Sequence, residues 1–60
     1  MTVADFPIGT LIEWQIDTIK RIGVVFQNEN EFIKVRPLTQ AFNWYFNNTT
    51  LESFKVRKIN

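Results

Sequence analysis

The chain has 60 residues, with seven Lys plus Arg against six Asp plus Glu and a net charge of +1. Neither cysteine nor histidine occurs, so disulfides, zinc sites built on those ligands, and Ser-His or Cys-His catalysis are excluded. A balance this close to neutral also argues against a strongly basic nucleic-acid clamp or a DNA mimic, both of which need a large field of one sign.

Sixty residues make a single domain, residues 1–60, near the lower limit for unaided folding, because a chain of this size buries only about 60% of its unfolded surface. With 45% apolar and 15% aromatic residues, stability must come from that apolar content or from a partner that covers the excess.

Residues 1–8 read as a lead-in, in which Phe6 and Ile8 can pack and Pro7 fixes φ. Residues 10–22 read two ways. As a helix they offer the capping-box pattern Thr10-Leu11-Ile12-Glu13, an apolar face of Ile12, Ile16 and Ile19, and Gly23 as a stop. As strand-turn-strand they alternate, with Ile12, Trp14 and Ile16 on one side and Glu13, Gln15 and Asp17 on the other, and Asp17-Thr18 turns the chain. The many β-branched residues tip the balance to strands. Ile22, Val24 and Phe26 then continue as an inward set.

The clearest local signal is a hairpin, with strands over 24–27 and 31–36 around the polar turn Asn28-Glu29-Asn30. Its second arm sends Ile33 and Val35 one way and Phe32, Lys34 and Arg36 the other, and Pro37 ends it. Leu38-Thr39-Gln40 is a connection. Residues 41–47 form a further aromatic strand, although Leu38, Ala41, Phe42 and Tyr45 also fit one helical face. Asn47-Asn48-Thr49-Thr50 contains two overlapping glycosylation patterns, which read better as turn chemistry. Leu51 and Phe54 have the spacing of one 3₁₀ turn, and residues 55–59 form a last strand with Val56 inward and Lys55 and Arg57 outward.

Five short strands with one 3₁₀ turn before the last predict a mainly β fold, a small five-stranded barrel. The alternative is an α+β fold with a helix over about 10–22 packed on an antiparallel sheet. At Gly9-Thr10-Leu11-Ile12-Glu13-Trp14, Gly23-Val24-Val25 and Leu51-Glu52-Ser53-Phe54-Lys55-Val56 the chain resembles the SH3-like barrel group. It looks like the opening of KOW-type domains and of the photosystem I accessory subunit of that fold. KOW domains carry a further glycine before their Gly-x-Val segment, and Asp17-Thr18-Ile19-Lys20-Arg21 has none. The fold alone licenses no single function.

The sequence contains no catalytic constellation, phosphate-binding glycine loop, metal-ligand set or cofactor motif, so the expectation is a non-catalytic binding module. The inward positions of a small barrel are filled without Phe42, Trp44, Tyr45 and Phe46. Trp14, Phe26, Phe42, Trp44, Phe46 and Phe54 read first as core side chains, but the cluster at 42–46 is partly surplus to that count, and such surplus suggests a protein interface, with a larger partner or in a homo-oligomer. Such a module reads as an accessory or regulatory subunit. The second expectation is a nucleic-acid-binding face made by Phe32, Lys34, Arg36, Lys55 and Arg57, where stacking and phosphate contacts combine. These cations also suit ordinary protection of outer strand faces. No apolar run reaches the roughly 18 residues of a membrane span, and residues 1–5 lack signal-peptide character. The expected setting is therefore cytoplasmic. The richness in Asn, Ile, Phe and Lys fits an AT-rich genome, phage or low-GC bacterial.

Overall fold

A computed structural model describes residues 1–39 and 41–59. The chain is mainly β. It forms five strands, β1 (Leu11–Ile16), β2 (Ile19–Asn28), β3 (Phe32–Pro37), β4 (Trp44–Asn47) and β5 (Arg57–Lys58), with one short helix, α1 (Asn48–Ser53), and a 3₁₀ turn at Val3–Asp5. All strands pair antiparallel in one sheet of order β4-β3-β2-β1-β5. The sheet is open rather than closed into a barrel, with β4 and β5 at its two edges. β5 is only two residues long, and β4 runs straight into α1, so neither edge extends far enough to meet the other.

Residues 10–22 are the β1–β2 hairpin, which sets aside the helical alternative. Ile16 pairs with Ile19 across the two-residue turn Asp17-Thr18. Asp17 has φ 54°, the left-handed value that primed hairpin turns require and that Asp tolerates better than bulkier residues. The β2–β3 hairpin forms, but its loop is Glu29, Asn30 and Glu31, one residue later than the sequence suggests, because Asn28 stays in β2 and pairs with Ile33. Asn30 sits at φ 70° and its N–H donates to Asn28 Oδ1 at 2.9 Å. Of the connection Leu38-Thr39-Gln40, Gln40 lies outside the described residues.

The helical turn before β5 is α-helical, and the 3₁₀ turn is N-terminal instead. Asn47 explains the first point. Its Oδ1 accepts from the Thr50 N–H at 2.9 Å, while Thr50 Oγ1 accepts from the Asn47 N–H at 2.8 Å. This reciprocal cap satisfies the donors that a helix start leaves orphaned. The Asn-Thr run is thus helix-start chemistry. Leu51 still turns inward and Phe54 packs against the core.

The buried core comprises Val3, Phe6, Ile12, Trp14, Val25, Ile33, Val35, Phe46, Leu51 and Val56. Ile12, Trp14, Ile33, Val35, Leu51 and Val56 match the expected inward set. β2 does not. Gly23 and Val25 face inward, whereas Ile22 is 43% exposed and Val24 and Phe26 are half-buried on the outer side. The register gives the reason. Ile12 faces inward opposite Gly23, and that pairing fixes the phase of β2. A Cβ on Gly23 would lie 2.7 Å from Arg36 O, 2.8 Å from Val35 Cγ1 and 2.9 Å from Trp14 Cη2. Only glycine lets the indole lie against the strand here. A bulge between Val25 and Gln27 then shifts the phase, with Phe26 as the extra residue, so Asn28 faces inward.

Asn28 uses that position to fasten the N-terminal segment. Its Nδ2 donates to Val3 O at 3.0 Å and Phe6 O at 3.1 Å, and Val3 N–H donates to Asn48 Oδ1 at 2.8 Å. Val3 and Phe6 thereby supply the inward volume that Ile22 and Phe26 do not.

Two outcomes follow for stability. Gly23→Ala adds one methyl against fixed backbone and two core side chains, and should destabilise by about 1–3 kcal/mol, despite the usual gain from removing glycine from a strand. Urea unfolding measures it, and an unchanged or raised midpoint would contradict this packing. Asp17→Gly relieves the left-handed turn and should raise stability by up to about 1 kcal/mol, whereas Asp17→Val should lower it.

Candidate functional face

The sheet has two unlike faces. The inner face carries the core, capped by α1 and the N-terminal segment. At its centre four aromatic rings pack together. Trp14 lies 5.6 Å from Trp44 and 5.5 Å from Phe46, and Phe54 lies 5.8 Å from Trp44 and 5.7 Å from Phe46, between ring centroids. Trp44 and Phe46 stack at 18°. Such pairs add about 0.5–1.5 kcal/mol each beyond their area.

This cluster divides the four residues expected at a protein interface. Phe46 is fully buried and Trp44 is packed against the core, so both are structural. Their strand alternates, and its inward side needed them because β2 presents Gly23 there instead of a large side chain. Tyr45 is 57% exposed on the outer face of β4, and Phe42 is 83% exposed in the segment before it.

The five residues expected to contact nucleic acid are also divided. Phe32, Lys34 and Arg36 share the outer face of β3, as their spacing implies. Tyr45 joins them, because it pairs with Lys34. The Phe32 and Tyr45 rings lie 5.9 Å apart, Lys34 Nζ lies 5.5 Å from the Tyr45 ring centre, and Arg36 Cζ lies 5.7 Å from that of Phe26. Lys55 is not part of this group. It sits at φ 51° in the turn between α1 and β5, off any strand. Arg57 is on the outer face but across the sheet, and its Nε donates to Glu13 Oε1. One continuous basic patch of all four cations is therefore absent.

The register shows what fills the outer face instead. Leu11 stands opposite Val24, which stands opposite Arg36. Ile59 follows β5 and donates its N–H to Leu11 O at 2.8 Å. Ile22 is opposite Glu13 and receives the Leu38 N–H on its carbonyl at 3.0 Å. Leu38 and Ile59 are 64% and 49% exposed. The outer centre is thus aliphatic, and Lys34 and Arg36 edge it on the β3 side. Sequence reasoning placed Ile22, Val24 and Phe26 inside because their alternation has no intrinsic phase. The signal that sets the phase is Gly23, since a glycine inside a strand marks the close approach of another group.

Where β3, β4 and α1 meet, an open cleft of about 380 Å³ is lined by Glu31, Phe32, Tyr45, Phe46, Asn47 and Thr50. It has an aromatic wall and a polar rim. Among the described residues no group of three acidic, His or Cys side chains could hold a metal ion, and no helix is long and apolar enough to cross a membrane. Family models, curated proteins and solved structures contain no match to the chain.

The two faces predict opposite responses to truncation. Phe46→Ala empties the ring cluster and should cost about 3–5 kcal/mol. At roughly 0.05–0.15 kcal/mol per residue, that is a large part of the total for this chain. Phe42→Ala should stay within about 0.5 kcal/mol of the parent, and Tyr45→Ala, which loses its outer-face contacts with Phe32 and Lys34, within about 1 kcal/mol. Thermal melts of the three variants decide the assignment, and a Tyr45 variant that melts like the Phe46 variant would overturn it.

Proposed function

We infer that this chain is a non-catalytic protein-interaction module, an accessory or regulatory subunit that works through the outer face of its sheet. The observation that carries this reading is the exposed aliphatic centre of that face, with Ile22, Leu38 and Ile59 each more than two-fifths exposed. A sheet face of this kind is normally covered by another element, and the chain's own α1 and N-terminal segment lie on the other side. The connectivity is in keeping with the SH3-like resemblance, since a four-strand meander is followed by a helical turn and a fifth strand returning beside β1. The resemblance supports a scaffold for binding and does not choose the ligand.

A second reading is favoured by one cluster. Phe32, Tyr45 and Lys34 form an outward aromatic and cationic group of the kind that stacks bases and holds phosphates. It ranks below the first because Lys55 and Arg57 do not join it.

Capture from lysate of the producing cell, with and without nuclease, separates the two. The protein-binding reading expects a nuclease-resistant partner that the Ile22→Ser/Leu38→Ser double variant loses. Both positions are exposed, so that variant should remain folded. Recovery of nucleic acid alone, released steeply by salt, would instead establish the second reading.

A further inference from the structure

The near-neutral total hides a segregation of charge. Of the six carboxylates, Asp5 lies in the N-terminal 3₁₀ turn, where its Oδ2 accepts from the Thr2 N–H at 2.9 Å. Asp17 is in the β1–β2 turn, Glu29 and Glu31 are in the β2–β3 loop, and Glu52 is on α1. Glu13 alone stands on the outer face, and it is held by Arg57. Lys20, Lys34 and Arg36 are on that same face, because they pair with Gln15, Tyr45 and Val24 at outward positions. Among the described residues none of these three forms an ion pair with a carboxylate. The face is therefore aliphatic at its centre and carries uncompensated positive charge along β3.

Its dimensions select a shape. The apolar stripe follows β2 from Ile22 to Phe26, roughly 14 Å at about 3.4 Å per residue, and widens to two strands, roughly 10 Å, where Leu11 stands beside Val24. That is the width of one α-helix, and three turns of helix cover the length. The stripe falls well short of the roughly 800 Å² that each partner gives to a stable globular complex, so a single segment suits it better than a second folded domain. Lys34 and Arg36 are two residues apart on one strand face, about 7 Å. Carboxylates at i and i+4 on a helix rise about 6 Å along its axis and match that spacing. Face to face, a second copy of this chain would bring the same cations and a Glu13 already held by Arg57.

We propose that the outer face seats an acidic amphipathic helix of a partner protein. The helix lies along β1 and β2, its apolar stripe rests on Leu11, Ile22 and Val24, and a pair of carboxylates at i and i+4 meets Lys34 and Arg36. This rests on the protein-interaction reading above and names the partner's chemistry.

The test uses the folded full chain, labelled with ¹⁵N and titrated with defined probes. The first probe is a capped peptide of about 16 residues, long enough to hold helix in water, with leucines at helical spacing flanked by glutamates. The others are the same peptide with lysines for the glutamates, a permuted peptide of identical composition without the periodicity, a thymidine oligonucleotide, and vesicles of phosphatidylcholine with phosphatidylglycerol. The acidic helical peptide should shift the amides of Leu11, Ile22, Val24, Lys34 and Arg36, and the permuted and lysine peptides should bind at least tenfold more weakly. The Lys34→Glu/Arg36→Glu variant should lose the acidic peptide by at least tenfold and gain the lysine peptide. That exchange of preference is an outcome that simple unfolding cannot produce.

Equal binding of the acidic and permuted peptides would overturn the helical occupant. Concentration-dependent shifts of the face without any probe would assign it to a second copy and would also overturn it. Shifts with the oligonucleotide or the vesicles, and none with the peptides, would overturn both this proposal and the protein-interaction reading. No shift with any probe would overturn the helix alone, because the capture experiment tests the broader reading independently.

Discussion

Most of this structure depends on the packing of Trp14 against Gly23. The indole is fully buried and touches Trp44 and Phe46, and it fits only because the strand beneath it has no side chain at that point. One consequence is the phase of β2. With Gly23 inward, Val24 and Ile22 must face outward, and the aliphatic outer face is the result. A second consequence is the demand on other segments for core volume. Val3 and Phe6 are brought in from the N-terminus, and Trp44, Phe46 and Phe54 close around the indole. The arrangement carries a cost, since Trp14 Nε1 is buried with no partner among the described residues and an unpaired buried donor gives up its hydration. The ring cluster and the fully buried aliphatics around it offset that loss.

The elements were largely legible in the sequence, and their orientation only in part. Asp17-Thr18 and Asn28-Glu29-Asn30 are turn chemistry that local backbone preference enforces, so the hairpins could be read from residues alone. Ile33 and Val35 could also be assigned inward, because their strand has polar residues between them. β2 has no such contrast. Ile22, Val24 and Phe26 alternate with Gly23, Val25 and Gln27, and two interleaved apolar sets cannot say which one is the core. The bulge at Phe26 compounds this by changing the phase within one strand, which no pattern of period two can register. Closure into a barrel was likewise not legible, because it depends on how far the two edge strands extend, and β5 stops after two residues.

The binding candidates divided for the same reason. The aromatics at 42–46 are surplus only against an inward set that includes Ile22 and Phe26, and β2 turns those two outward. Once Ile22 and Phe26 move out, the core needs Trp44 and Phe46, and only Tyr45 and Phe42 remain exposed. The outward placement of Phe32, Lys34 and Arg36 survived, since it rests on β3, where the alternation is unambiguous. Lys55 and Arg57 were matched to them by parity within a strand. Parity cannot tell whether residues on different strands are neighbours, and strand order puts β5 on the opposite edge from β4.

Strand order and the length of the chain together account for why the outer face is left uncovered. A single sheet has two faces, and the described residues hold one helix of six residues and one short N-terminal segment with which to cover them. Both were drawn to the inner face by Asn28, Asn48 and the capped start of α1. Nothing described remains to cover the outer one. A wholly aliphatic face would invite indiscriminate association, and Lys20, Lys34 and Arg36 counter that by keeping charge on it. The aromatic rings of Phe26 and Tyr45 hold two of these cations close to the surface, where they can meet an incoming carboxylate without first being ordered. On the proposed reading, such a face would discriminate by the sign of its partner as much as by shape.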